Sequence, residues 1–315
     1  MDAGGIIEVR DLRRTFGAIE AVRGVSFAVP RGQVVGFIGA NGAGKTTTMR
    51  MMVTLDVPDA GVIRICGVDV VERPHEARRR IGWMPDSFGT YPHMAVWEYL
   101  DFFARALGYR GRERRERLAQ VMEFTDLGPL AEQDMPTLSK GQAQRLCLGR
   151  TLLADPEVLI LDEPAAGLDP KARLEFKDLL RLLADDGKTI FISSHILSEL
   201  AEVCDALLFI DEGRIVHYGS PASLAAPDGA RPLYALELAG APERLAEWVA
   251  TQPRVALVEL HRRGGTIRFE ADDAELIAAT LRRMVVDGLP VVDFHRQEAS
   301  LEDAFVRMLG KVKAA

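Results

Sequence analysis

Short apolar runs alternate along the chain with longer stretches whose apolar residues recur at helical spacing. Val34-Val35-Gly36-Phe37-Ile38 is unbroken by any polar residue, the pattern of a strand buried on both faces in a parallel sheet. Ile81 to Met84, Val158 to Leu161, Thr189 to Ile192 and Ala206 to Ile210 are runs of the same kind. Between Ala95 and Ala154 the reading is mostly helical, with Val96, Leu100, Phe103 and Leu107 on one stripe. Strands alternating with helices predict an α/β domain. The first 35 residues differ. There Ile6 to Val9 and Val25 to Val29 are β-branched, and Pro30-Arg31-Gly32 marks a turn, so short strands are expected. None of the runs approaches the roughly 18 apolar residues that span a bilayer.

Residues 221–232 are rich in Pro, Ala, Gly and Ser and read as a linker. Beyond it, residues 233–315 read as a second, smaller α/β unit. Tyr234 to Leu238, Val255 to Leu260 and Thr266 to Phe269 are expected strands. Asp273 to Val286 and Leu301 to Leu309 are expected helices, the latter opened by Ser300 with Asp303 three residues on. The chain shows no internal repeat.

Composition narrows the class. The 315 residues are 48% hydrophobic and 27% charged, which excludes wholesale disorder, collagen and coiled coil. A net charge of -7 argues against wrapping nucleic acid, so no nucleic-acid partner is expected. Cys66, Cys147 and Cys204 make neither a disulfide framework nor a metal spacing, and fit a reducing compartment. The opening residues show no basic patch followed by an apolar run, so no signal peptide is expected and the location is read as cytoplasmic.

The chemistry begins after the first buried run. Gly39-Ala40-Asn41-Gly42-Ala43-Gly44-Lys45-Thr46 matches the phosphate-loop pattern in full and sits between a predicted strand and a predicted helix, with Thr47 following. Its backbone N–H groups would curl round a β-phosphate at a helix N-terminus. Lys45 offers a charge to the β- and γ-phosphates, and Thr46 a hydroxyl to Mg²⁺. The run Val158 to Leu161 ends in Asp162-Glu163, placing one carboxylate for the Mg²⁺ shell and the next to polarise a water. Leu138-Ser139-Lys140-Gly141-Gln142 precedes a helix. Alone it reads as a serine cap; Ser139 and Gly141 also stand where a helix start offers a hydroxyl and N–H groups to phosphate.

These motifs, with Gly167-Leu168-Asp169-Pro170 and Ser193-Ser194-His195, occur in an order that resembles the ATP-binding subunit of ABC transporters over about residues 6 to 220. The resemblance implies a P-loop NTPase core with an antiparallel β subdomain and a helical subdomain at about 87–157, followed by a small C-terminal α/β domain. Residues 1–220 would be the ATP-binding domain and 233–315 an accessory domain. It implies that Glu163, His195 and Lys45 act in hydrolysis and that Phe16 lies against adenine. ATP would contact residues 39–47, from Gly39 to Thr47. Ser139, Gly141, Gln142 and Asp169 would meet ATP across a dimer. Thr46, Asp86 and Asp162 would hold Mg²⁺. The tail, ending in Ala299-Ser300-Leu301-Glu302-Asp303-Ala304-Phe305, resembles the C-terminal extension of export-type subunits.

The implied partners are a second ATP-binding subunit, most simply a second copy, and a polytopic membrane permease that holds the chain at the inner face of the membrane. One position departs from the family: Asp86 stands where Gln is usual. Asp is also a hard oxygen donor, and adds negative charge beside a triphosphate. Tyr91, Trp97, Tyr99, Phe102 and Phe103 divide between core and an apolar groove for a partner helix. Arg110 to Arg117 reads as a solvated helix face. The alternative function is a soluble ABC-type ATPase working on a ribosome, DNA or another cytoplasmic assembly. Against it, the chain has one ATPase half and no long heptad insertion.

Overall fold

A computed structural model describes residues 5–197, 200, 202–225 and 233–297. They divide into two compact units, one ending at Pro221 and the other starting at Ala222.

The first unit holds two sheets. β3 (Val34–Ile38), β6 (Ile81–Met84), β7 (Val158–Leu161), β8 (Thr189–Ser194), β9 (Ala206–Asp211) and β10 (Arg214–Gly219) form a six-stranded sheet in the order β10-β9-β3-β8-β7-β6. All neighbours pair in parallel except β10, which runs antiparallel to β9 and closes that edge. Every residue of β3, β7 and β8 is buried, which is why their sequences show no alternation. β1 (Ile7–Phe16), β2 (Ile19–Val29), β4 (Ala60–Ile65) and β5 (Val68–Asp69) form an antiparallel sheet in the order β2-β1-β4-β5. β1 and β2 run longer than the sequence predicts. Their solvent face carries Arg10, Asp11, Arg13 and Arg14, and register shifts after Val9 and after Arg14 break the alternation. The two sheets share a core in which Phe27 of β2 stacks on Phe191 of β8 at 5.4 Å, with Phe37 of β3 5.1 Å from the same ring.

Helices complete this unit: α1 (Lys45–Met52), α2 (Pro74–Arg78), α3 (Val96–Ala106), α4 (Gly111–Phe124), α5 (Lys140–Leu152) and α6 (Pro170–Asp185), while α7 (Pro221–Ala225) starts at the boundary and runs into the second unit. α7 occupies the start of the stretch read from sequence as linker. α3 to α5 are the helical region expected between Ala95 and Ala154. Arg145 on α5 ties them to α6, pairing with Asp126 at 2.9 Å and with Glu175. Arg110 to Arg117 is only partly a solvated face. Arg112 pairs with Glu116, but Arg114 reaches the buried Asp101 at 2.9 Å and Arg117 donates to the carbonyls of Leu152 and Leu153.

The second unit has the order β11 (Leu233–Leu238), α8 (Glu243–Ala250), β12 (Val255–His261), β13 (Gly264–Phe269), α9 (Ala274–Val286), β14 (Val291–Gln297). Its antiparallel sheet is ordered β12-β13-β11-β14, the ferredoxin-like split β-α-β arrangement. Leu236, Ile267 and Phe269 on one face meet Leu245 and Trp248 of α8 and Ile277 and Met284 of α9. The other face carries Glu237 and Arg268, which are exposed. α8 and β14 go beyond the elements expected from sequence, and the expected helix at Leu301 to Leu309 lies outside the described residues. Among the described residues no helix is long and apolar enough to cross a membrane.

Candidate functional site

The candidate site lies at the C-terminal ends of the parallel strands, where loops after β3, β6, β7 and β8 converge. The loop after β3 is shaped by two glycines. A Cβ on Gly39 would stand 2.4 Å from the Ile210 carbonyl oxygen. Gly44, at φ 107°, would place one 2.6 Å from the carbonyl of Ala21 on β2. Only glycine fits there, so the loop lies flush against both sheets and turns directly into α1. Lys45 opens that helix, is 6% exposed, and donates to the carbonyl of Gly39 at 2.7 Å. A largely buried ammonium aimed into a cavity has charge to give to an anion.

Across the cavity, Asp162 and Glu163 follow β7. Asp162 is 1% exposed. Burial pushes its carboxyl above the usual carboxylate range; hydroxyl hydrogen bonds from Ser193 and Thr46 pull back, and the charges of Asp86 and Glu163 add to the rise. Ser193 Oγ donates to Asp162 at 2.6 Å and accepts the Glu163 N–H at 2.9 Å. Glu163 has φ 48°, the left-handed region that non-glycine residues seldom occupy. Its carboxylate accepts from His195 Nδ1 at 2.8 Å and lies 3.5 Å from Lys45 Nζ. Glu163 therefore bridges the histidine after β8 and the lysine of the phosphate loop.

These residues line an open cleft shared by Ala40, Asn41, Lys45, Thr46, Asp86, Glu163 and His195 among others. The donor set around Asp162 is all oxygen: a threonine hydroxyl and two carboxylates. No ion pair reaches Asp162 among the described residues, so a buried carboxylate is left with hydroxyl partners alone. That arrangement fits a hard divalent cation held by Thr46, Asp162 and Asp86.

Other expected site residues stand apart from this cavity. Ser139 caps α5 in a reciprocal box: its Oγ accepts the Gln142 N–H at 3.3 Å, while Gln142 Oε1 accepts the Ser139 N–H at 2.9 Å. Asp169 caps α6 by accepting the Ala172 N–H at 2.9 Å. Gly141 packs against α6, a Cβ there standing 2.9 Å from that of Ala172. Phe16 ends β1, and its ring is half exposed. None of Phe16, Ser139, Gly141, Gln142 and Asp169 lines the cavity.

A family model described as "ABC transporter" matches residues 22–166. The Nod factor export ATP-binding protein I of Ralstonia nicotianae is 36% identical over 310 residues, covering 97% of this chain and 94% of the relative. The chain belongs to the ABC transporter ATP-binding family. Among solved structures, cbiO1 from Clostridium perfringens, part of the ABC transporter complex cbiONQ, is 28% identical at TM-score 0.65, over 71% of this chain and 92% of that one. A bacterial ABC transporter cassette solved as a dimer is 25% identical at TM-score 0.62, over 68% of this chain and 98% of that one. The chain is thus an ATP-binding, ATP-hydrolysing transporter subunit with a P-loop core.

The sequence alone does not single out Ser193. Two hydroxyls that end the strand after Ile190-Phe191-Ile192 are the available signal. Nor does the sequence single out Ala21, which lines the cavity from β2; nothing local distinguishes that alanine. The aromatic set includes both buried and exposed members. Tyr99 is 1% exposed and accepts from Arg150 at 3.2 Å, while Tyr91, Trp97 and Phe102 are exposed.

Proposed function

We propose that this subunit drives an exporter, working as a homodimer beneath a separate polytopic permease at the inner face of the cell membrane. The reading of export is supported by the Ralstonia relative, a Nod factor export ATP-binding protein, which aligns with this chain over nearly its whole length. In this reading residues 1–220 are the ATP-binding domain and 233–315 an accessory domain.

The observation that carries the mechanism is Glu163 held between His195 and Lys45 at the mouth of the phosphate loop. ATP lays its triphosphate along residues 39–47, and its γ-phosphate displaces Glu163 from Lys45. Glu163 then points its carboxylate at a water, with His195 fixing its direction. Thr46, Asp162 and Asp86 would hold Mg²⁺, which when bound would supply charge neutralisation to the triphosphate. In this reading Ser139, Gly141, Gln142 and Asp169, which lie away from their own chain's cavity, serve the site of a second copy. Closure by that copy excludes water and supplies N–H donors to the γ-phosphate. Phe16 carries the base.

The test is Glu163→Gln purified from membranes with ATP in mild detergent. The expected result is a dimer by gel filtration, no hydrolysis, and a stoichiometric polytopic protein by mass spectrometry. Recovery as a monomer, or only with ribosomes, overturns the proposal and favours a soluble ATPase.

A further inference from the structure

Phe16 is half exposed at the end of β1, and Arg14 lies over its ring. The guanidinium of Arg14 lies 4.7 Å from the centroid of its ring, within cation–π range. Arg14 is not a loose surface arginine. Its Nη2 lies 2.8 Å from Asp56 and its Nη1 2.8 Å from Asp59, and its side chain is 23% exposed. Asp59 also accepts the Thr15 N–H at 2.7 Å, and its own N–H donates to the Arg13 carbonyl at 2.9 Å. The end of β1 is therefore clamped to the segment 56–59.

That segment is the continuation of α1. The N–H groups of Leu55 and Asp56 both donate to the carbonyl of Arg50 in the last turn of that helix, at 2.9 and 3.2 Å. One short helix thus begins at Lys45 in the phosphate cradle, and the segment that leaves its last turn carries the two carboxylates that hold Arg14. With one face of Phe16 covered by a cation, the ring offers its other face to a planar base. A cation on the first face also draws π density from the ring, which favours stacking by an electron-rich purine.

We propose that Arg14 is a positioning residue that fixes Phe16 as the base platform and ties it to the phosphate cradle through α1. It rests on the reading of Phe16 as the residue that carries the base. Arg14 lies over the ring and does not line the phosphate cavity, so its effect is expected on the affinity contributed by the base.

The test compares binding of MgATP and of Mg-tripolyphosphate, which has the phosphates and no base, to the full chain by calorimetry. Arg14→Ala is expected to weaken ATP about fivefold and to leave tripolyphosphate as in the unsubstituted protein. Arg14→Lys keeps the charge but cannot bridge both aspartates, and is expected to fall between. In a Phe16→Ala background, Arg14→Ala is expected to add nothing. Should Arg14→Ala fail to fold, Asp56→Asn loosens the same clamp and is expected to weaken ATP selectively. Equal weakening of both ligands, or of neither, while Phe16→Ala weakens ATP alone, overturns the role of Arg14 and leaves the base platform standing. If Phe16→Ala leaves ATP affinity intact, the base platform itself fails and the proposal falls with it.

Discussion

Replacing Ser193 by alanine tests the linkage on which the hydrolytic geometry rests. The substitution removes one oxygen atom and two hydrogen bonds, to Asp162 and from the Glu163 N–H. The first is a bond to a carboxylate in a site 1% exposed, worth about 1.5–3 kcal/mol. The second leaves an amide without its partner, about 1 kcal/mol or more. It also frees a residue held at φ 48°, which returns part of the 1–3 kcal/mol that such a conformation costs. The net expectation is a loss of roughly 2–3 kcal/mol, about 4–12 °C in the melting temperature of a unit this size. Thermal unfolding by circular dichroism measures it, and ATPase assays follow the consequence. Glu163 loses the anchor of its own backbone, so kcat is expected to fall at least tenfold while ATP binding, carried by residues 39–47, holds. A melting temperature within a degree of the parent, or an undiminished kcat, refutes the linkage.

Three further outcomes are expected. Asp86→Ala keeps ATP binding but lowers turnover; unchanged turnover and transport remove Asp86 from the cation site. Burial pushes the Cys147 thiol up to about 11 and raises that of Cys204 as well, so alkylation at pH 8 followed by peptide mass spectrometry labels the half-buried Cys66 first. Burial lowers the pKa of His217, whose Nε2 has no hydrogen-bond partner among the described residues, so its contribution to stability is present above about 6.5 and lost as pH falls below it. His217→Phe is expected to flatten that acid-side loss in a pH series of unfolding midpoints.

The parallel strands were legible in the sequence nearly to the residue. β3 and β7 are buried throughout and β6 at every residue but Trp83, so their runs begin and end where the sheet does. β1 was not, because an antiparallel strand with one wet face can carry Arg10, Asp11, Arg13 and Arg14 and remain a strand. β14 escaped for the same reason: Val291–Gln297 is an edge strand with Asp293, His295 and Arg296 exposed. The phosphate loop and the Asp162-Glu163 pair were legible because the chemistry is local. Ser193 and Arg14 were not, because each acts on residues brought to it by the fold: Asp162 lies 31 positions from Ser193, and Asp59 lies 45 from Arg14.

The order β3-β8-β7-β6 hangs a different piece of apparatus from each of four neighbouring strands: the phosphate loop, His195, the Asp162-Glu163 pair and Asp86. Adjacent strands are about 4.8 Å apart, so the four hang from a rack about 14 Å wide. The pitch of that rack is set by backbone hydrogen bonds, which every side chain shares alike. The outer layers can therefore be rewritten extensively by evolution, or by an engineer retargeting the permease contact, while the strand ends keep their spacing.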